Sequence, residues 1–107
     1  MTHKILNREL EMKLTGTVGV IWATERRIGH EPQTEHAQDL VAVLYTALAN
    51  SKDRKGNPLN EDMPTLEEFT DVMTQKIIKE LSDDFWSQWR ELEGTPTESN
   101  GDEKGED

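Results

Sequence analysis

The stretch TEHAQDLVAVLYTALAN, residues 34–50, limits the possible folds of this chain more than any other. Leu40, Leu44, Ala47 and Leu48 recur at helical spacing and build one apolar face, which Val41 and Tyr45 widen. Gln38 and Asp39 fall off that face. Glu35 and Asp39 stand near the start, where the helix dipole favours acids; Lys52, Arg54 and Lys55 follow the end, where it favours bases. A face this broad needs several segments to cover it. The reading is a central helix, with Leu40, Leu44 and Leu48 in the core.

What can surround that helix is bounded by length and charge. A chain of 107 residues allows one small domain, read here as residues 1–94. The remainder, TPTESNGDEKGED at 95–107, has no apolar residue to bury and is expected to be a disordered acidic tail. It carries five carboxylates against Lys104, a net −4, which leaves −6 of the total −10 on residues 1–94. An acidic body argues against non-specific binding to nucleic acid, which needs cations to neutralise phosphates. No apolar run approaches membrane-spanning length, and MTHKILNREL holds no apolar stretch suited to a signal peptide. With no cysteine there is no thiolate chemistry or disulfide, and the expectation is a cytosolic protein.

Before the central helix, Leu10, Met12 and Leu14 alternate with Glu9, Glu11 and Lys13, the period of a half-buried strand. Asn7-Arg8 offers a turn, so a hairpin of about 3–6 with 9–14 follows. A helix competes, because Leu6, Leu10 and Leu14 are also four apart. In TGTVGVIWATERRIG, residues 15–29, Thr15 or Thr17 can cap a helix whose face holds Val18, Ile21, Trp22, Glu25 and Ile28. Gly29 ends it, and Pro32 stops any continuation.

After the central helix, 51–64 reads as a long, mobile surface loop. Thr65 and Glu68 have the spacing of a capping box, and Phe69, Val72, Met73 and Ile77 follow as an apolar stripe. The stripe continues through Ile78, Leu81, Phe85, Trp89 and Leu92. Ser82-Asp83-Asp84 could cap a fresh helix, which places a break between residues 74 and 83. The fold class is therefore mainly α: a small domain of about four helices with a short N-terminal β-hairpin. Ile21, Phe69 and Trp89 join the expected core.

No group of residues reads as a catalytic or cofactor site. His30, Glu31, Glu35 and His36 lack the two-turn metal spacing, and Pro32 keeps both imidazoles off one helix face. Glu67, Glu68, Asp71, Asp83 and Asp84 read as caps and solvated charge, with no nucleophile beside them. Gly16-Thr17-Val18-Gly19 lacks the Lys of a phosphate loop. Trp86 lies roughly 100° around the helix from Phe85 and reads as a rim residue, with core or edge packing as the plainer alternative.

The order of these signals resembles a known family. A short strand pair leads through KLTGTVGVIWATERRIG into a first helix, DLVAVLYTALAN makes the second, PTLEEFTDVM opens the third, and a further helix and a charged tail follow. Over about residues 3–93 this looks like the tail assembly chaperones of long-tailed bacteriophages and prophages, and the resemblance favours the hairpin over the N-terminal helix. Two departures stand out: the 51–64 loop is longer than in the family, and FWSQW makes the last helix more aromatic.

The resemblance implies a non-enzymatic chaperone without cofactor or metal. It implies binding of the tape measure protein, whose hydrophobic helices are kept soluble, and recruitment of tail tube subunits. The protein would act in the host cytoplasm and be absent from the mature virion; in many such phages a frameshift appends a second domain. On this reading Trp22, Tyr45 and Trp86, at the margins of the apolar faces, are the candidate partner contacts. The alternative is a small acidic regulator or inhibitor that blocks a basic host protein by charge mimicry.

Overall fold

The computed structural model describes residues 2–94; Met1 and the expected acidic tail lie outside the described residues. The elements run β1 (Thr2–Ile5), β2 (Arg8–Glu11), α1 (Thr17–Ile28), α2 (Ala37–Ala49), α3 (Leu66–Asp71) and α4 (Gln75–Leu92). The chain is mainly helical with a two-stranded antiparallel hairpin at its start.

α2 starts three residues later than the sequence suggests and is buried on every side. Val41 through Leu48 are eight consecutive buried residues. A helix enclosed all round must satisfy its polar side chains inside. The Thr46 hydroxyl donates to the Ala42 carbonyl at 2.8 Å, and the Tyr45 hydroxyl donates to the Pro64 carbonyl. Asp39 is also buried rather than off the packed face. Its carboxylate accepts from the Gln33 backbone N–H at 2.9 Å, with His30 Nε2 at 3.3 Å, so the 30–36 loop closes over the first turn. Leu44, Leu48 and Phe69 are fully buried as expected, whereas Leu40, Ile21 and Trp89 are half-buried at the edge of the same apolar cluster.

The hairpin turns at Leu6-Asn7, not Asn7-Arg8. Both turn residues have positive φ, 54° and 62°, as the tight two-residue turn of a twisted hairpin requires. The register pairs Lys4 with Glu9 and His3 with Leu10. Moving the turn by one residue shifts each cross-strand partner by two, which keeps every side chain on its face; alternation therefore cannot choose between the registers. The observed one sets Lys4 against Glu9, opposite charges on facing positions.

Beyond Glu11 the strand loses its partner, yet Met12 and Leu14 stay buried. Two side-chain amides take over the pairing. Asn60 accepts from the Glu11 N–H and donates to the Glu11 carbonyl, both at 2.8 Å, and donates to the Leu48 carbonyl at 2.7 Å. Gln88 accepts from the Leu14 N–H at 2.8 Å and donates to the Met12 carbonyl at 2.9 Å. Ser51 accepts from the Lys13 N–H at 2.8 Å. These contacts tie the hairpin to α2, to the following loop and to α4.

α1 presents a different face inward from the one its pattern suggests. Val20 and Thr24 are buried, with Ile21 and Ile28 half-buried, while Val18, Trp22 and Glu25 face solvent. A buried threonine is tolerated because its hydroxyl donates to the Val20 carbonyl at 2.7 Å. Neither Thr15 nor Thr17 caps the helix; Gly16 holds the cap position without a side-chain bond. Gly29 does end it, at φ 86°.

The capping box at Thr65 and Glu68 forms in both directions, at 3.1 and 2.9 Å. The helix break falls at residues 72–74, not at Ser82-Asp83-Asp84. Thr74 caps α4 by accepting from the Ile77 N–H at 3.1 Å, and α4 then runs unbroken through all three of those residues. Asp84 points inward to His3 instead, at 2.8 Å, a pair in which both residues are buried. The 51–60 segment, expected to be mobile, closes on itself: Asp53 accepts from the Lys55 and Asn57 N–H groups at 2.8 and 2.9 Å, and the Leu59 N–H reaches the Ser51 carbonyl at 2.9 Å.

Candidate functional site

Exposed apolar side chains mark a contact surface where they gather into one patch rather than stand singly. Among the described residues four stand exposed: Val18 at 56%, Trp22 at 60%, Leu92 at 45% and Leu6 at 37%. Val18 and Trp22 are four apart on α1, one turn above the other. Leu92 closes α4. The two ends meet because the Thr17 hydroxyl donates to Glu93 Oε2 at 2.6 Å, which places Leu92 and Val18 each one residue from that bond. Val18, Trp22 and Leu92 form the candidate site.

Trp22 is exposed because α1 turns Val20 and Thr24 inward, which leaves the indole on the opposite side. Trp86 is half-buried among aromatic neighbours. Its ring meets Phe85 edge-on at 4.8 Å and Trp89 at 5.5 Å, while Phe85 and Trp89 lie 5.6 Å apart. Such edge and tilted pairs give the three rings a fixed arrangement. Tyr45 is not available to a partner. It is 6% exposed, its ring meets Phe69 edge-on at 5.2 Å, and the Arg27 guanidinium lies 5.0 Å over it. Its position on α2, enclosed by other elements, removes it from the surface.

The polar residues singled out from the sequence take separate structural places. His30 turns to Asp39, while His36 stands at the cap position of α2. Glu68 serves the capping box, Asp83 accepts from Lys79 at 2.9 Å, and Asp84 bonds His3 and Gln88. Glu67 and Asp71 remain exposed on α3. Among the described residues no three acids or histidines are grouped to hold a metal, and no helix is long and apolar enough to cross a membrane. Residues the sequence did not flag do much of the joining: His3, Asn60 and Gln88 bridge positions 49 to 81 apart in the chain. Polar side chains of this kind have no local spacing that announces them. No protein-family model, curated protein or solved structure matches the chain.

Proposed function

We propose that this protein is a non-enzymatic chaperone of phage tail assembly, holding a long helical tape measure protein soluble in the host cytoplasm and helping to recruit tail tube subunits before leaving the finished particle. The observation that supports this reading most is the exposed apolar surface of Val18, Trp22 and Leu92 on a folded, acidic body. A client with exposed hydrophobic helices needs an apolar face to lie on, and acidic surroundings keep the complex in solution. Trp is well suited to such a contact, because it adds large area at small cost in side-chain entropy. Trp86, half-buried, is a lesser candidate beside it.

A second reading, charge mimicry against a basic host protein, draws on Glu67 and Asp71, exposed on α3, which set acids on an ordered surface. Salt separates the two. An apolar complex with the long helical protein withstands high ionic strength, whereas a charge-mimic complex dissociates as screening lengths shorten. Co-purification with a long helical phage protein across a salt series is the test. Retention at high salt supports the chaperone; failure to bind that protein at any salt overturns it.

A further inference from the structure

The hairpin has two outer edges, and the described residues close only one of them. The Leu6-Asn7 turn makes Ile5 and Arg8 the hydrogen-bonded pair beside it, so His3 and Ile5 aim their backbone groups at β2. Thr2 and Lys4 aim theirs outward from β1, as Glu9 and Glu11 do from β2. The bonds of Glu11 agree with this alternation. Its N–H and C=O both meet the Asn60 amide, which stands in for a neighbouring strand and closes the β2 side. On the β1 side nothing among the described residues bonds the Thr2 or Lys4 backbone. A groove of about 440 Å³ follows that edge instead, lined by all four β1 residues and by Ile77, Glu80 and Asp83 of α4.

We infer that the β1 edge takes up an extended segment of a partner protein as a third strand, and that this segment carries a cation on its inner face. The inference does not rest on the chaperone reading. The backbone decides the shape of the occupant: Thr2 and Lys4 present N–H and C=O groups about 7 Å apart, a repeat that an extended chain matches. β1 holds no proline, and no bulge interrupts its register. Lys4, a charge of the kind that guards sheet edges, faces Glu9 across the ladder and is offset by it. Side chains of an added strand alternate between two faces. Those on the side of His3 and Ile5 enter the groove, where Ile77 offers apolar contact and Glu80 a carboxylate. Glu80 is exposed and makes no ion pair among the described residues, whereas Asp83 is held by Lys79 at 2.9 Å. An apolar residue and an arginine suit the groove side, and neutral β-branched residues suit the outer face beside Thr2 and Lys4. A second copy of the chain fits less well, because residues 1–94 carry a net −6 and would meet their own charge.

The test titrates the acetylated and amidated peptide Thr-Val-Thr-Arg-Thr into the full-length chain at low salt, with the backbone amides followed by spectra and hydrogen exchange. Exchange at the Lys4 amide should slow on binding, while the His3 and Ile5 amides, already in the ladder, change little. N-methylation of one alternate set of peptide residues should weaken binding by about tenfold or more, because it removes the donors that face β1. N-methylation of the other set should leave binding intact. Replacing the peptide's Arg by Glu should weaken binding by about fivefold. An unchanged Lys4 amide at millimolar peptide, or an equal effect of the two N-methyl sets, would overturn the added strand. Equal binding of the Arg and Glu peptides would overturn the cationic partner. Lys4 protection that rises with protein concentration in the absence of peptide would overturn the proposal in favour of a second copy.

Discussion

α1 and α2 are nearly equal in length, twelve and thirteen residues, and they pack against each other, yet one is enclosed and the other is not. α2 is contacted by α1, α3 and α4, and buries a tyrosine, a threonine and an aspartate along with its aliphatic residues. α1 buries Val20 and Thr24 and leaves a tryptophan in water. Polarity of individual residues does not explain the difference, since threonines and aromatic residues occur in both. Position in the topology does: α1, α3 and α4 all pack against α2, whereas nothing in the described chain covers the outer side of α1. Its last turn instead carries Arg26 and Arg27, which suit a solvated C-terminal end. An aromatic residue in an enclosed helix works for stability, and one on an open face is free to work for binding.

The largest expected effect tests the enclosed helix. Leu44→Ala should cost about 2–5 kcal/mol in denaturant melts, the range for truncating a buried leucine. Trp22→Glu should change the same melt by less than about 0.5 kcal/mol, as a surface substitution. Similar losses for both would erase the distinction between the two helices.

A smaller effect is expected where the hairpin is tied to the helices. Gln88→Leu removes the amide that pairs Met12 and Leu14, and should cost about 1–3 kcal/mol through the backbone groups left without partners. Hydrogen exchange at the Leu14 amide should accelerate in that variant. An unchanged melt together with unchanged exchange would mean that water replaces the amide and that the hairpin is held by its apolar side chains alone.

The sequence made α2 legible because apolar residues recur all along it, and it made the Thr65–Glu68 box legible because both partners lie within one turn. The buried alternation of Leu10, Met12 and Leu14 was readable for the same local reason. The hairpin register was not, since a shift of two preserves the pattern. The face of α1 was misjudged because apolar residues occupy more than one side of it, and burial of Thr24 depends on a backbone bond to Val20. The break at 72–74 is set by Thr74, a modest cap beside the more conspicuous Ser82-Asp83-Asp84. Of the candidate contacts, Trp22 was legible as a marginal residue, while the burial of Tyr45 required Pro64, Phe69 and Arg27 to converge on it from separate segments.

The smallest expected effect lies in the loop leaving α2. The Asn57 backbone N–H, the leading influence, holds the Asp53 carboxyl below its ordinary 3.8; loss of hydration opposes it, and the Lys55 and Gly56 N–H groups and the Asn57 side chain add smaller lowering contributions. A lowered folded value means that the carboxylate supports the loop fully above pH 3.8 and that this support is lost as pH falls through the folded value. The Lys55 and Asn57 amide shifts should titrate with a midpoint under 3.8. A midpoint at or above that value would show that the loop bonds do not favour the charged form.

The central contrast, between an enclosed helix that holds the fold and an open helix face here proposed to bind a partner, is tested most directly by the soluble yield of a long helical tape measure protein. It would be co-expressed with the native chain and, separately, with Trp22→Glu. The native chain should keep the client soluble, and Trp22→Glu, folded and equally stable, should leave most of it in the pellet. Equal soluble yield with both chains would contradict the assignment of the open face of α1 to partner binding.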